Sequence, residues 1–416
     1  MPINKRHIAF FLPAFRAGGQ EHTTLVLMRE LAQRGHRVEL WLEHRVGDYL
    51  SRVPDTIVIR ELSRRSRWSG YPKLLTRWPT EGWEHLKGAL GITERSIALH
   101  RFVALVDQLE STRPDVLLSA HGHVPLLAVW AAGVAKHAVA TVIIEHSVIS
   151  PAVEAARTVE RSYRRAQQRL DVMRRLYPKA DRVVTVSRSA ADDMAATLRI
   201  PRREIETIYN PVMVDEIAEN VAAPFDDAWF NAGAPPVILA AGRLAPEKGY
   251  DVLIDAFAQL RTRNCTARLV ILGEGPERKQ LMSRIKEYGL EADVRMPGWV
   301  DNPYSWMARS ALCVVASEFE GFCNTLIEAM ACGCPVVATD CPGGPSEILD
   351  NGRFGRLVPV GDVAALAKAM ASALAEPPPV ATLQKRAAYF SLARSVDAYE
   401  AMIEPLLSRS ARYQDR

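Results

Sequence analysis

The sequence predicts an α/β protein with two Rossmann-like, doubly wound domains, each built on a parallel sheet. Its 416 residues are too many for one ordinary hydrophobic core. Apolar runs alternate with amphipathic segments along the chain, the pattern of parallel strands covered by helices. This pattern stops at a Pro- and Gly-containing stretch, residues 222–236, and then starts afresh. Two such sheets facing a cleft would place a ligand at the carboxyl ends of their strands.

The first half of the chain contains six apolar runs that we predict to be strands. A first helix is expected over residues 20–34, because Gly35 can cap a helix C-terminus. Residues 62–95 and 150–178 are insertions rich in Arg and aromatic residues. The predicted strands are His7–Leu12, Val38–Leu42, Asp115–Ser119, Ala140–Glu145, Arg182–Val186 and Ile205–Tyr209.

The second half repeats the alternation with five predicted strands and a helix at 364–374. We therefore place an N-terminal domain at 1–222 and a C-terminal domain at 236–392. The predicted strands are Val237–Ala241, Arg268–Leu272, Val294–Met296, Leu312–Ala316 and Pro335–Thr339.

Hydropathy and the distribution of charge indicate how the protein relates to a membrane. No apolar run reaches the roughly 18–20 residues that span a bilayer, and the apolar run after Arg6 is interpreted as a buried strand, not a signal peptide. The first 215 residues carry a net charge of +9 and the remainder −5. The excess lies in Arg157–Arg182 and in a stretch that mixes cations with tryptophan: Arg64, Arg65, Arg67, Trp68, Arg77 and Trp78.

Two interpretations of this basic surface stay open. Cations mixed with aromatic residues favour an anionic membrane surface, whereas the alternative is an ordinary solvated helix face. Nucleic acid is not expected as a partner, because no recognition motif accompanies the charge. We expect a cytoplasmic protein, peripheral on the inner face of the membrane if the first interpretation holds.

The six cysteines all follow residue 260. Four of them, Cys323, Cys332, Cys334 and Cys341, lie near one another in sequence, but their spacing matches no common zinc pattern. We interpret them as structural thiols in a reducing compartment, and no metal site is predicted.

The most informative segment is Ser317–Val337, which predicts a strand, a tight turn and a helix that begins near Asn324. Gly321 allows a ligand close to the backbone, and free N–H groups at the helix start suit a phosphate. Glu320 precedes this helix and Glu328 lies within it. Carboxylates beside an anion site suit sugar and ribose hydroxyls, since each accepts two hydrogen bonds from a diol.

A second group of candidates follows the first strand of the second domain. That strand ends at Ala241, and Gly242, Arg243 and Lys248 follow it across a turn. If the ligand is a diphosphate-sugar, two preorganised cations at this place would stabilise the departing diphosphate most strongly in the transition state. The alternative is a structural salt bridge.

Together these motifs resemble the signature of family 4 (group 1) retaining glycosyltransferases with the GT-B fold. Glu320 and Glu328 are followed by Ala329-Met330-Ala331-Cys332-Gly333-Cys334-Pro335, as in that family, although Cys323 stands where the family often has Gly. The resemblance implies that Glu320 faces the donor sugar and Glu328 binds the ribose. It further implies donor contacts from Gly321, Phe322, Asn324 and Thr325 in the same segment.

The resemblance extends to weaker motifs. Gly18-Gly19 after the first strand is similar to the family's Gly-Gly loop near the donor phosphate, and residues 295–298, ending at Gly298, resemble the segment that meets the nucleotide base. A family histidine that contacts the donor sugar is assigned to His121, with His123 or His146 as alternatives. The C-terminal helix, about residues 393–416, would return to the N-terminal, acceptor-side domain, and the C-terminal domain would bind the nucleotide-sugar.

The implied reaction is retaining transfer from a nucleotide diphosphate-sugar, expected to be UDP-linked, to the hydroxyl of a glycan or a lipid-linked acceptor. The chain also resembles glycosyltransferases of surface polysaccharide synthesis, which implies that the reaction belongs to polysaccharide or glycoconjugate synthesis. No Asp-x-Asp pair is present, so neither a metal nor another cofactor is expected. Two alternatives stay open: an NAD-dependent oxidoreductase, which lacks its Gly-x-Gly-x-x-Gly turn here, and a non-catalytic sugar-nucleotide-binding protein.

Overall fold

The structure, a computed structural model, describes residues 5–16, 18–62, 95–158, 160–263 and 265–414. It divides into two compact units. The first comprises Met1–Val186, Ala190–Tyr209 and Ser395–Arg416, and the second comprises Ser187–Ser189 and Asn210–Arg394. The basic and aromatic residues Arg64, Arg65, Arg67, Trp68, Arg77 and Trp78 lie outside the described residues.

The first unit is built on a seven-stranded parallel sheet in the order β3-β2-β1-β4-β5-β6-β7. All six predicted strands are confirmed to within one or two residues, and an edge strand, β3, is added. Central strands such as β1 are buried along almost their whole length, as expected for a sheet covered on both faces. The strands are β1 His7–Leu12, β2 Arg37–Leu42, β3 Val58–Glu61, β4 Val116–Ala120, β5 Ala140–Glu145, β6 Arg182–Thr185 and β7 Ile205–Thr207.

Helices connect these strands, and their contacts build a core around Phe11, Trp41, Phe102 and Tyr177. The first helix ends just before Gly35, which adopts a left-handed φ of 92°, as the cap prediction requires. The insertion at 150–178 forms two helices. The helices are α1 Gly19–Gln33, α2 Arg95–Thr112, α3 Val124–Ala132, α4 Ser150–Ala155, α5 Glu160–Leu176 and α6 Arg188–Leu198.

The second unit is built on a six-stranded parallel sheet in the order β10-β9-β8-β11-β12-β13. The five predicted strands are confirmed, and a short edge strand, β13, is added. Its core centres on Phe257, Leu253 and Ile271. The strands are β8 Val237–Ala241, β9 Arg268–Leu272, β10 Val294–Gly298, β11 Leu312–Val315, β12 Val336–Thr339 and β13 Arg356–Val358.

Nine further α-helices follow β7 in the described residues. None of the helices in the described ranges is both long and apolar enough to cross a membrane. They are α7 Val214–Val221, α8 Tyr250–Thr262, α9 Arg278–Glu287, α10 Pro303–Met307, α11 Asn324–Ala331, α12 Pro345–Ile348, α13 Val363–Ala375, α14 Val380–Ala388 and α15 Leu392–Gln414.

The N-terminal part of the first unit stops at Tyr209, whereas the sequence suggests a boundary at 222. Helix α7 packs on α10 and α11 in the second unit, and Asn302 Nδ2 donates to the Asn220 carbonyl at 2.8 Å. The proposed linker is also packed there: the rings of Phe225, Phe230 and Trp306 meet edge to face with centroids 5.1–5.5 Å apart. These contacts agree with the assignment of residues 210–236 to the second unit.

Candidate active site

The turn between β11 and α11 has the strand–turn–helix geometry that the sequence predicts. It lies at the carboxyl edge of the second sheet, where ligands bind in doubly wound folds. A neighbouring loop fixes the turn, because the Glu320 N–H donates to the Pro342 carbonyl at 2.8 Å. Gly343 in that loop has a φ of 103°, and a Cβ atom there would lie 1.6 Å from the Glu320 carbonyl oxygen. Only glycine fits so near the turn.

Glu320 and Lys248 form an ion pair at this edge. Lys248 Nζ lies 2.7 Å from Glu320 Oε1, and Ser317 Oγ donates to the same oxygen at 2.7 Å. The two charged side chains are 26% and 11% exposed. Burial is the largest single influence on the pKa of Lys248 and lowers it, but Glu320, Cys323 and Glu247 together outweigh burial, so the pKa is raised. The pair therefore presents a fixed ammonium and carboxylate in a half-buried place.

Arg243 is in a different environment from Lys248. Its side chain is 68% exposed, and its guanidinium pairs with Glu247 four residues later. Gly242, before it, has a φ of 156°, and a Cβ atom there would lie 2.9 Å from the Tyr250 hydroxyl. The structure thus brings Lys248 to Glu320 and leaves Arg243 facing solvent.

Glu328 lies on α11 without a charged neighbour. Among the described residues no hydrogen bond or ion pair reaches its carboxylate. Burial raises its pKa to about 7. The group is therefore poised between its protonated and ionised forms near neutral pH, and any ligand that donates hydrogen bonds to it favours ionisation.

The other predicted donor contacts of the second unit have varied surroundings. Asn324 begins α11, which has no side-chain cap, and its Oδ1 accepts from Asn210 Nδ2 at 3.2 Å; Thr325 next to it is half-buried. Gly321 offers its carbonyl to Ser187 Oγ at 2.9 Å. Phe322 is buried against Phe390, with ring centroids 5.6 Å apart, so its side chain belongs to the core.

Gly298 ends β10 in a left-handed conformation, with a φ of 93°. A Cβ atom there would lie 2.7 Å from Glu274 Oε1, so any larger residue would have to displace the Glu274 side chain.

All six cysteines are free thiols. Cys313, Cys323, Cys334 and Cys341 are buried, and burial raises the pKa of Cys341 to about 12. Within the described ranges, no group of three or more His, Cys, Asp or Glu side chains could hold a metal ion.

In the first unit, Gly19 is the first residue of α1. Nothing lies within 4 Å of the position that a Cβ atom would take there, so a ligand has room to approach the backbone of Gly19. Gly18, before it, would bring a Cβ atom to 2.5 Å from Glu21 Oε2.

The candidate histidines differ in their hydrogen bonding. His121 has a left-handed φ of 72°, and burial lowers its pKa to about 4. Its buried Nε2 has no hydrogen-bond partner in the described part of the chain, and its ring stacks on that of His146 with centroids 5.4 Å apart. His123 instead lies 2.8 Å from Glu43 Oε1. His121 is thus a neutral imidazole, whereas His123 is tied to a carboxylate.

Sequence reasoning missed three residues that shape these places: Ser317, Tyr250 and Glu43. Ser317 could have been found from its position three residues before Glu320 in the same turn. Tyr250 and Glu43 carry no local signal, because their roles depend on contacts with residues distant in sequence.

Comparison with known proteins agrees with this architecture. The family described as Glycosyl transferases group 1 matches residues 225–390, and the one described as Glycosyltransferase Family 4 matches residues 17–216. The chain belongs to the group 1 glycosyltransferases with the GT-B fold.

Two relatives and two solved structures illustrate the similarity. The chain is 38% identical over 185 residues, 44% of its length and 48% of the relative's, to N-acetylgalactosamine-N,N'-diacetylbacillosaminyl-diphospho-undecaprenol 4-alpha-N-acetylgalactosaminyltransferase of Campylobacter jejuni. It is 32% identical over 168 residues, 39% of its length and 44% of the relative's, to lipopolysaccharide 1,6-galactosyltransferase of Salmonella typhimurium. The matches thus span about half of the length of these relatives.

Among solved structures, Anabaena HepE in complex with UDP and glucose superposes with a TM-score of 0.73 at 20% identity, covering 96% of this chain and 99% of that one. WaaG, a glycosyltransferase involved in lipopolysaccharide biosynthesis, gives a TM-score of 0.68 at 15% identity, covering 95% and 99%. At these identities the likeness establishes the shared fold.

Proposed function

We propose that this protein is a retaining glycosyltransferase that moves a sugar from a UDP-sugar to a hydroxyl of a glycan or lipid-linked acceptor. The observation that supports this best is the ion pair of Lys248 and Glu320 at the carboxyl edge of the second sheet. Family membership gives the reaction class, and the names of the two relatives above point to surface polysaccharide or glycoconjugate synthesis.

Lys248 and Arg243 act on the leaving group in this proposal. As the sugar–phosphate bond breaks, the diphosphate gains charge, and fixed cations stabilise that charge more in the transition state than in the ground state. Lys248 is held by Glu320 before substrate arrives, so it needs little reorganisation. Arg243 is 68% exposed and would exchange its contact with Glu247 for the diphosphate.

The two glutamates bind different parts of the donor. Glu320 faces the sugar, and Glu328 accepts hydrogen bonds from the ribose diol. His121 of the first unit is assigned to the donor sugar, because its neutral imidazole has an unpartnered Nε2 among the described residues. The remaining proposed donor contacts are made by main chain or short side chains: Gly19, Gly242, Gly298, Gly321, Phe322, Asn324 and Thr325.

Retention is proposed from the family resemblance. In the same-face route the departing phosphate oxygen takes the proton of the acceptor hydroxyl while that hydroxyl oxygen bonds to the anomeric carbon. No metal takes part in this proposal, since Lys248 and Arg243 fill the role of a cation. The protein would act at the cytoplasmic face of a membrane if its acceptor is lipid-linked.

A thermal-shift panel of nucleotide-sugars tests the proposal. At 100 times its dissociation constant a ligand stabilises a protein by about 2.7 kcal/mol, which such a measurement detects easily. We expect UDP-sugars to raise Tm and to be turned over in the presence of EDTA. Stabilisation by NAD(H) and by no UDP-sugar would favour the oxidoreductase alternative. Binding without any donor turnover would favour the non-catalytic alternative, and rescue by magnesium after EDTA would overturn the metal-free chemistry.

A further inference from the structure

Four polar side chains meet at the carboxyl edge of the first sheet, apart from the residues assigned above. Glu43 and His44 directly follow β2, His123 follows β4, and Arg101 comes from α2. We call these four residues the Glu43 cluster. Glu43 is 2% exposed, whereas Arg101 and His123 keep 19% and 24% of their side-chain surfaces. The cluster therefore runs from a buried carboxylate to solvent.

Three hydrogen bonds and one ion pair connect the four residues. His123 Nε2 lies 2.8 Å from Glu43 Oε1, and Arg101 Nη1 lies 3.2 Å from Glu43 Oε2. Arg101 Nη2 lies 3.0 Å from His44 Nε2, and its Nη1 also lies 2.9 Å from His123 Nε2.

These contacts select one tautomer for each histidine. Arginine is always a donor, so His44 Nε2 must accept from Arg101 and His44 carries its proton on Nδ1. His123 Nε2 faces both a donor and a carboxylate. The contact with His123 is the only hydrogen bond that the buried Glu43 carboxylate makes among the described residues, whereas Arg101 also contacts His44 and pairs with Glu43. Leaving the carboxylate without a hydrogen bond costs more than turning the Arg101 N–H away from Nε2, so the proton on His123 belongs on Nε2, toward Glu43.

This assignment leaves His123 Nδ1 as a hydrogen-bond acceptor. No hydrogen bond to it occurs within the described residues, and the side chain remains 24% exposed. The place therefore suits a ligand that donates a hydrogen bond. An anion does not fit, because the charge of Arg101 is already balanced by Glu43 and the free atom is a lone pair.

We propose that His123 is an acceptor-recognition residue: its Nδ1 accepts a hydrogen bond from a sugar hydroxyl of the acceptor, and Glu43 and Arg101 position its ring. This rests on the proposed function, which supplies a carbohydrate acceptor. It also separates the two neighbouring histidines, since His121 is assigned to the donor and His123 to the acceptor.

The experiment is nitrogen NMR of protein labelled at histidine, with methyl α- and β-hexosides as the probe for acceptor sugar. His123 should show a protonated Nε2 and an unprotonated Nδ1, and hexosides should shift the Nδ1 resonance. Two variants separate the nitrogens. His123→Asn keeps a polar group near the place of Nδ1, whereas His123→Gln keeps one near Nε2, within reach of Glu43.

We expect His123→Gln to weaken hexoside binding about 2- to 10-fold, the effect of one lost hydrogen bond, and His123→Asn to weaken it less. The control is His137→Gln, because His137 precedes β5 at the opposite edge of the sheet and should leave binding unchanged. The two His123 variants have no Nδ1 resonance, so hexoside dissociation constants of the wild type and all three variants are measured by titration calorimetry. A proton on Nδ1, equal dissociation constants in all three variants, or no hexoside shift of Nδ1 in the wild type would overturn the proposal. UDP binding, measured on the same samples, tests the proposed function separately. If UDP does not bind, the proposed function fails, and the NMR result at His123 can still be interpreted. If UDP binds but hexosides do not shift Nδ1, only the proposal for His123 fails.

Discussion

Glu320 and Glu328 lie on one strand–turn–helix segment but have different electrostatic surroundings. Glu320 accepts from Lys248 and Ser317, so its carboxylate is held in place before any ligand binds. The Glu328 carboxylate has no ion pair and no hydrogen bond among the described residues, and burial raises its pKa to about 7. Glu328 can therefore gain hydrogen bonds when a ligand binds, whereas Glu320 is already held in a fixed position relative to that ligand.

Substituting each glutamate with glutamine should separate ground-state binding from catalysis. Glu328→Gln should mainly raise the donor KM and weaken binding of free UDP, because a ribose contact changes little during the reaction. Glu320→Gln should mainly lower kcat, by about 10- to 150-fold, the effect of one charge-assisted hydrogen bond, with UDP binding intact. Donor-dependence kinetics and calorimetry of UDP binding measure both quantities.

Both substitutions keep side-chain volume, so a single cooperative thermal transition in each variant is the control for folding. The reverse result, in which Glu320→Gln abolishes UDP binding and Glu328→Gln leaves it intact, would exchange the two roles. If neither variant changed either quantity, both carboxylates would be structural.

The raised pKa of Glu328 also predicts a pH dependence of nucleotide binding. In the unliganded protein this group favours folding in its protonated form, so its stabilising contribution is full below about pH 4.3 and is lost as pH rises through about 7. A ribose diol instead needs the carboxylate. UDP affinity should therefore rise about 10-fold between pH 6 and pH 8 and then level off.

Calorimetry across this pH range measures the effect, and Glu328→Gln is the matched control, because it cannot titrate and should give a much flatter profile. UDP has its own phosphate ionisation near pH 6, so the difference between the two proteins is the diagnostic quantity. Parallel profiles would mean that Glu328 does not meet the nucleotide.

At the scale of elements, the buried strands were predictable from sequence and the edge strands were not. Apolar runs such as Ile8–Leu12 have a strong signal because both faces of a central parallel strand are covered. β3 is Val58-Ile59-Arg60-Glu61 and β13 is three residues long, so neither has enough apolar residues to stand out. Edge strands are short and charged for a physical reason, since long apolar edges invite aggregation.

The candidate site was predictable to the extent that local sequence specifies it. The turn at Glu320 and the helix that begins at Asn324 follow from neighbouring residues. The partnership of Lys248 with Glu320 joins residues 72 positions apart, and that of Glu43 with His123 joins residues 80 apart. Such pairings depend on which strands lie side by side, which local patterns do not encode.

The loop after β12 should be as important to the site as the turn it supports. Gly343→Ala would place a Cβ atom 1.6 Å from the Glu320 carbonyl oxygen and would strain a backbone with a φ of 103°. We expect a loss of more than about 2 kcal/mol in the free energy of unfolding, because the clash adds to the backbone strain. Turnover should fall as well, since Glu320 moves with the turn.

Gly361→Ala is the matched control in the same unit. Gly361 also has a positive φ, of 74°, but nothing lies within 4 Å of its Cβ position. The Gly361→Ala variant should keep its activity, and its free energy of unfolding should fall by only about 1 kcal/mol, the cost of backbone strain. Chemical denaturation measures the free energy of unfolding of both variants. Equal losses would show that the close approach of residue 343 to the Glu320 carbonyl oxygen does not exclude a side chain there.

At the scale of the whole molecule, the chain is not divided simply at its middle. Each unit has its own parallel sheet and core, and the final segment, Ser395–Arg416, belongs to the first unit although it follows the second. The first unit is thus completed only by the last residues of the chain. Its stability should depend on them more than that of the second unit does.

Removing residues 395–416 should destabilise the first unit selectively. Val396, Tyr399 and Ile403 are at most 3% exposed, and burying such side chains contributes about 1.5–3 kcal/mol each. Arg34 also loses its pairing with Glu400. The summed loss is comparable with the whole stability of a domain, about 5–15 kcal/mol, so the first unit should open much more often.

Hydrogen exchange followed by mass spectrometry tests this prediction at the level of strands. Amides of β1 and β4 should exchange faster in the truncated protein, whereas those of β8 and β11 should keep their protection, because no residue of their core is removed. Glu404→Ala is the matched control: Glu404 is 65% exposed and pairs with Arg6, and a surface ion pair contributes at most about 1 kcal/mol. Equal acceleration in both sheets would mean that the two units unfold as one, and no acceleration in either would mean that the first unit is complete without its C-terminal segment.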